Sequence, residues 1–337
     1  MKRLRPKTVS QRDIAKDTGL CIATVSRVLT GKADATGCVS PETCRKVRES
    51  AARLGYRLNI AGRMLRLGRS DAVGLLFSAA SNLYMELVPR LQRQIFLRGR
   101  AAICGFWNQE GDAASTISAV AARDVDGIIT CHWPAAMREL APGIPTVHFL
   151  GNDPEADCVD IGSMLELQVR HLAGLGHRHI VLFGPWSDNE PHVAGLAANA
   201  GLRIVFVRQD YGARQTPARG GLVNALDLLG RPGTPGRPTA LVCHTDEDAG
   251  LSIAALAQRG FRVPDDVSVG SAEGLSFGAR FFPPITAAGP DLDNLAETLV
   301  ETLFRRLENP ALPPQRVMAP LTLFQRGSTG PACKVGG

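Results

Sequence analysis

The sequence contains no apolar run of the roughly eighteen residues needed to cross a bilayer, so no membrane span is expected. The opening MKRLRPKTVSQRD is basic and lacks the apolar stretch of a secretory leader, which points to a cytoplasmic protein. No C-x-x-C pair occurs among the eight cysteines (Cys21, Cys38, Cys44, Cys104, Cys131, Cys158, Cys243, Cys333), and they form no short secreted framework. They read as reduced thiols, and no zinc site, other metal or cofactor is expected. Short-period repeats and low-complexity segments are also missing. What is present is a chain of 337 residues, 45% apolar, long enough for two or three folded units of ~100–200 residues with real cores.

Charge is unevenly placed. Residues 1–70 carry 16 Lys/Arg against 5 Asp/Glu, a net +11, whereas the remaining 267 carry 22 against 27, a net −5. One reading is a solvated basic tail. The other is an electrostatic footprint for a polyanion, and a small basic domain with helical patterning favours nucleic acid.

The basic segment reads as several short helices. Ser10 precedes QRDIAKDT with Asp13 three residues on, which suits a capped start, and Gly19 ends the helix. CIATVSRVLT follows at once, leaving room only for a tight turn. Ser40-Pro41-Glu42 opens a further helix with Val47, Ala51 and Leu54 on one face and a stop at Gly55. Asn59 is placed to cap a short fourth helix, IAGRMLRL, ended by Gly68. From Ser70 the texture changes to strand-length apolar runs (AVGLLFS, AAICGF, VDGIITC, PTVHFL, HIVLFGP, RIVFV, TALVCHT, VSVGSA). Amphipathic segments such as YMELVPRLQRQIFLRGR, LELQVRHLAGLG and AGLSIAALAQRGF lie between them. Strand alternating with helix predicts parallel sheets with crossover helices, in two lobes joined by crossing strands.

Taken as a helix, residues 21–30 turn Val25, Val28 and Leu29 to one side and Ile22, Ala23, Ser26 and Arg27 to the other. Ala15, Gly19 and Val25 have the spacing of a helix-turn-helix: a small residue for close approach, a turn glycine and an inward-facing apolar lock. The outer face is then the one a recognition helix offers to the major groove. Ile22 and Ala23 are suited to thymine methyl groups, and Arg27 to phosphate or guanine. Helical hairpins with this spacing also occur as plain structure.

The match extends further. VSQRDIAKDTGLCIATVSRVLTGK, VSPETCRKVRESAARLGYRLN and AGRMLRLGRSDAVGLLF, in that order, closely resemble the start of the lactose/galactose repressor family. RDVDGII, HLAGLGHRHIVLFGP, GFRVPDDVSV and PLTLFQRGST resemble the core of that family more loosely. The resemblance implies an all-α helix-turn-helix headpiece (1–58), a hinge helix and linker (59–69), and an α/β core of two parallel-sheet lobes (70–337). That core would resemble periplasmic sugar-binding proteins. It implies DNA contacts from Ile22, Ala23, Thr24, Ser26 and Arg27, and from Asn59, Arg63, Leu65 and Arg66 of the hinge. Leu65 falls where a side chain wedges between base pairs. Residues 59–67 make barely two turns, too few for a stable lone helix, so the hinge is expected to order on DNA; a basic linker touching the core is the plainer reading. Cys21 departs from the family's serine cap, at a cost of ~1 kcal/mol. Gly62 stands where alanine is common, and costs the hinge helix up to ~1 kcal/mol.

In the core, HTDED (Asp246, Glu247, Asp248) and the histidines of GLGHRHI invite an enzymatic reading. Acids at a strand end are more often caps and ligand hydrogen bonders, two histidines at i and i+2 make no metal site alone, and GLGH precedes a strand instead of opening a helix. A solute-binding protein is disfavoured by the basic headpiece. Positions carried over from the family nominate Tyr84, Asp160, His192, Tyr211, Thr245, Asp246, Glu273 and Leu292 as effector contacts between the lobes. His192 replaces a common arginine and Glu273 a common aspartate; reading Glu273 as an acceptor, we expect a neutral hydroxyl-rich or cationic effector, with a sugar or polyol first. The expected protein is a cytoplasmic regulator, not an enzyme. It acts as a homodimer on a near-palindromic operator in double-stranded DNA, with no tetramer, since no heptad tail follows FQRGST. A regulator whose core ignores effectors is the alternative.

Overall fold

Glycines and caps punctuate the N-terminal unit as their chemistry requires. The computed structural model describes residues 9–30, 39–56, 70–79, 81–108, 110–131, 137–151, 153–185, 190–209 and 219–333, and the chain divides into two compact units, Met1–Ser70 and Asp71–Gly337. In the first, α1 (Gln11–Thr18) begins with the Ser10 N–H donating to Asp13 Oδ2 at 2.8 Å and ends at Gly19, whose φ of +69° is open to glycine at little cost. Helix α2 (Ile22–Leu29) follows α1 after three residues, and α3 (Pro41–Leu54) starts with Ser40 Oγ accepting from the Thr43 N–H at 3.3 Å. Ile14, Val25, Val28, Cys44, Val47 and Ala51 form the buried core of the three helices. Asp17 of α1 accepts from Ser50 Oγ at 2.5 Å and from Arg53, both on α3, and the guanidinium holds its carboxyl below the ordinary value.

Among the described residues the second unit holds two six-stranded sheets. The first lobe has strand order β11-β5-β4-β3-β1-β2: β1 Ala72–Ser78, β2 Ala101–Trp107, β3 Gly127–Cys131, β4 Thr146–Phe149, β5 Asp157–Ile161 and β11 Arg316–Ala319. The second has order β12-β10-β9-β8-β6-β7: β6 His179–Gly184, β7 Arg203–Arg208, β8 Ala240–Cys243, β9 Ser268–Ser271, β10 Thr286–Pro290 and β12 Leu321–Phe324. Among the described residues all pairings are parallel except β10 with β12.

Central strands are apolar on both faces because helices cover both sides. On β6, Ile180 and Leu182 join the apolar cluster of Leu165, Val169 and Leu172 from α7 (Met164–Gly174). Val181 and Phe183 join the opposite cluster, with Ala225 and Leu226 of α9 (Arg219–Leu228) and Ala249 and Ile253 of α10 (Asp246–Gln258). Helix α8 (Glu190–Asn199) lies between β6 and β7 in sequence. In the first lobe, α4 (Asn82–Leu97), α5 (Glu110–Ala121), the single turn α6 (Met137–Leu140) and α11 (Leu292–Glu308) accompany the sheet.

The chain crosses between lobes between β5 and α7, β10 and α11, and β11 and β12. In each lobe the strand order reverses beside its first strand, between β1 and β3 and between β6 and β8. Open α/β sheets bind ligands at such a reversal, beyond the C-terminal strand ends.

Candidate DNA-recognition face and inter-lobe site

The packing of α2 decides which side chains are left outside. Val25 is fully buried and Val28 nearly so, while Ile22, Ala23 and Arg27 are exposed and Thr24 and Ser26 half-buried. Ile22 keeps 45% of its surface, unusual for a residue that packing could cover, and it stands at the first position of the helix. Cys21 provides no side-chain cap to α2; its sulfur lies 3.1 Å from Thr24 Oγ1, a contact that lowers the thiol pKa from its usual value. Asn59, Arg63, Leu65 and Arg66 lie outside the described residues, as does Tyr211.

In the second lobe three nominated residues lie at or beside the start of α10, in two hydrogen-bonded sets. Thr245 caps α10, accepting from the Asp248 N–H at 3.0 Å and donating to Asp248 Oδ2 at 2.9 Å. Asp246, fully buried, accepts from Ser271 Oγ and from the Leu275 N–H at 2.7 Å, and its own N–H donates to Glu273 Oε2 at 3.0 Å. The chain can pass closely here: a Cβ on Gly289 of β10 would fall 2.1 Å from the Glu273 carbonyl oxygen. Burial raises both carboxyls, Glu273 to about 8, with the neighbouring charges of Asp246, Asp248 and Glu247 adding to the effect. Near neutral pH burial thus favours the protonated form of Glu273, which can donate, while its Oε2 accepts from the Asp246 N–H.

The other nominated residues have their own partners. Tyr84 is buried on α4, its ring 5.3 Å from Phe77 and 6.4 Å from Phe149, and Leu292 is buried as the first residue of α11. Both belong to the first-lobe core, which also takes in Leu275 from the second lobe. Tyr84 bonds Cys131 at the end of β3, and burial pushes that thiol up to about 11. Asp160 lies within β5, paired with Arg316 of β11. His192 is exposed, and its Nε2 lies 2.8 Å from Glu166 Oε2. Glu166 is also held by Arg170 at 2.7 Å, and these partners keep its carboxyl below the ordinary value.

Sequence reasoning missed Glu166, Ser271, Cys131 and Arg316. Only Glu166 left a local signal, the Ser163-x-x-Glu166 helix start, and that signal says nothing of His192. Two surface hollows among the described residues, about 440 Å³ near His148, Asp157 and Arg306 and about 350 Å³ near Leu251, Phe281 and Phe282, contain none of the nominated residues. No described helix is long and apolar enough to cross a membrane.

A helix-turn-helix unit ahead of a two-lobed parallel-sheet core defines a DNA-binding transcriptional regulator with a small-molecule-responsive core. Residues 10–59 match the model for bacterial regulatory proteins of the lacI family, and residues 169–329 match the periplasmic binding protein-like domain. The ribose operon repressor of Escherichia coli (strain K12) is 27% identical over 95% of this chain and 99% of its own. The HTH-type transcriptional repressor PurR of Escherichia coli O139:H28 (strain E24377A / ETEC) is 27% identical over 94% and 96% respectively. The structure of the lac repressor dimer bound to operator and the anti-inducer ONPF superposes with a TM-score of 0.74 at 22% identity, covering 96% of this chain and 100% of that one. A transcriptional regulator CelR–cellobiose complex superposes with a TM-score of 0.64 at 20% identity, with the same coverage. The chain thus carries a DNA-binding unit of the lacI family of bacterial regulatory proteins ahead of a periplasmic binding protein-like domain.

Proposed function

We propose that this regulator represses transcription as a cytoplasmic homodimer on a near-palindromic operator. Residues 1–58 read the major groove, residues 59–69 form the hinge, and the two lobes of 70–337 hold a small effector; the core carries no enzymatic activity. The observation that carries the reading is the outer face of α2, where Ile22, Ala23 and Arg27 stand exposed over a buried Val25 and Val28. The +11 of residues 1–70 supports it, since duplex DNA is a dense polyanion. Ile22, Ala23, Thr24 and Ser26 read bases, Arg27 adds affinity, and Asn59, Arg63, Leu65 and Arg66 act in the minor groove. Selection of duplexes from a random library by the full-length protein tests this. The expected result is an inverted repeat whose half-site changes when Ile22 and Ala23 are made polar, with affinity falling steeply with salt. Equal affinity for all duplexes, or a salt slope near zero, would refute it.

For the core, Thr245, Asp246 and Glu273 are the polar wall of the effector site, with Tyr84, Asp160, His192, Tyr211 and Leu292 around it. A Glu273 carboxyl able to donate and an imidazole at His192 supply hydrogen bonds but no permanent positive charge to balance an acid, so a neutral, hydroxyl-rich molecule, a sugar or polyol, is our choice. The ribose operon repressor and the cellobiose complex among the relatives agree with that class.

A further inference from the structure

Beside the carboxyl group just described, a second set of polar contacts ties the lobes together. Glu86 lies in α4 of the first lobe, and Ser276 opens the 3₁₀ helix Ser276–Arg280 between β9 and β10 of the second. Ser276 Oγ donates to Glu86 Oε1 at 2.8 Å, and the Ser276 N–H is shared between Oε1 at 3.1 Å and Oε2 at 3.3 Å. Arg90, one turn further along α4, lies 3.9 Å from Glu86 Oε2 and 3.4 Å from Asp293 Oδ1 at the start of α11. Glu86 is thus held from behind by a cation and satisfied in front by two donors of the other lobe.

The stretch leading to Ser276 is anchored at each step. Glu273 accepts from the Asp246 N–H; Leu275 donates its own N–H to Asp246; the Leu275 side chain is fully buried in the first-lobe core. Neighbouring Cα atoms are fixed at about 3.8 Å, so a shift at Glu273 has little slack before it reaches Ser276. We propose that Glu86 is a positioning residue: by latching Ser276 it couples the Asp246–Glu273 group to the first lobe, from which the chain leads back to the headpiece. The inference rests on the reading of that group as the effector site. The latch favours the lobe arrangement in which Glu86 and Ser276 meet, and with it sets the affinity for DNA, because contacts made in one arrangement and lost in another bias the equilibrium between them.

The test uses the full-length protein and the duplex selected by the wild type, without any small molecule. Glu86→Ala, Ser276→Ala, the double variant and Glu86→Gln are compared for duplex dissociation constant, sedimentation and hydrogen exchange of residues 275–280. Each alanine variant is expected to change the dissociation constant in the same direction, by about fivefold or more. The double variant should add no more than about a further twofold, because both remove one interaction. Glu86→Gln, whose amide oxygen still accepts from Ser276, should stay within about twofold of wild type. Ser276 is exposed, so its variant keeps the fold and the proposal remains testable if Glu86→Ala does not. Faster exchange at Ser276 with unchanged DNA affinity would reduce Glu86 to a local cap and overturn the proposal. So would effects that multiply in the double variant. A wild type that selects no duplex would instead overturn the DNA-binding reading, before any variant is made.

Discussion

Replacing Glu273 by glutamine should make the core more stable at alkaline pH and leave it nearly unchanged near pH 5. Burial raises the folded carboxyl from 4.5 to about 8. Below the lower value both folded and unfolded chains hold the proton, so the group contributes no difference. Between the two values the unfolded chain releases its proton and the folded chain keeps it, so stability falls as pH rises, by about 1.4 kcal/mol per unit. Above about 8 the loss levels off, at a total of about 5 kcal/mol as an upper figure. Glutamine has the same shape, carries no charge at any of these pH values, and offers its amide oxygen to the Asp246 N–H that now donates to Glu273 at 3.0 Å.

Urea unfolding of the full chain, followed at pH 5, 6, 7 and 8.5, measures the difference directly. Glu273→Gln should match wild type within about 1 kcal/mol at pH 5 and exceed it by about 2–5 kcal/mol at pH 8.5. A shallower slope of the same sign should persist in the variant, because the Asp246 carboxyl is also raised by burial. Wild-type and variant profiles that run parallel from pH 5 to 8.5 would show that Glu273 ionises freely when folded. The donor role given to it in the effector site would then be wrong.

On the acid side the histidines act in the opposite sense. Burial lowers His171, His177 and His244 below the ordinary 6.5, so the stability they permit is complete above that value and is lost as pH falls through it towards their folded values. This slope opposes that of Glu273, so it is read from a variant: His177→Gln should gain stability relative to wild type as pH falls from 7 to 5, and parallel profiles there would contradict it. At the hinge, Leu65→Ala should weaken binding to the selected duplex and lessen its bend, as read by gel phasing, while non-specific binding persists. Unchanged bending would make residues 59–69 a plain linker. Arg27→Gln should lower affinity for every duplex alike and reduce the log–log salt slope by about 0.9, whereas a change of half-site would make Arg27 a base reader.

What could be read from the sequence depended on whether a signal was local. The helices of the first unit announce themselves by Ser10, Gly19, Ser40-Pro41 and Gly55, because caps act within a turn or two, and the structure uses all of them. The eight apolar runs became strands β1–β4 and β6–β9 for an equally local reason, since a central parallel strand is apolar on both faces. The remaining strands carried no such signal. β5 is interrupted by Asp157 and Asp160, and β10 is Thr-Ala-Ala-Gly-Pro, too small to stand out. Among the nominated side chains, Asp246 and Glu273 lie 27 positions apart and meet only because β8 and β9 pair, with Asp246 opening the helix after one and Glu273 just past the end of the other. The pairing of His192 with Glu166 and of Asp160 with Arg316 is equally non-local, and no spacing rule would have found it.

Asp157 of β5 is one of the strand-breaking acids, and its presence has a structural reason that can be tested. It is 2% exposed and receives the Arg306 guanidinium as a fork, Nε to Oδ2 at 2.7 Å and one terminal nitrogen to Oδ1 at 3.1 Å. The Gln315 N–H donates to the same carboxylate at 2.9 Å, and Arg306 also reaches the carbonyl oxygens of Pro310 at 3.2 Å and Pro313 at 3.0 Å. One ion pair therefore fixes the turn after α11 and delivers β11 to its place beside β5, next to the β11–β12 crossing between lobes. A buried pair is expensive to break from one side, because the remaining charge keeps its desolvation penalty without its partner. Asp157→Asn should cost about 3 kcal/mol in urea unfolding, and Arg306→Met a similar amount. The double variant Asp157→Asn with Arg306→Met removes both charges and should cost less than the two single effects added together. Single losses below about 1 kcal/mol, or strict additivity in the double variant, would mean that the turn holds β11 without the pair.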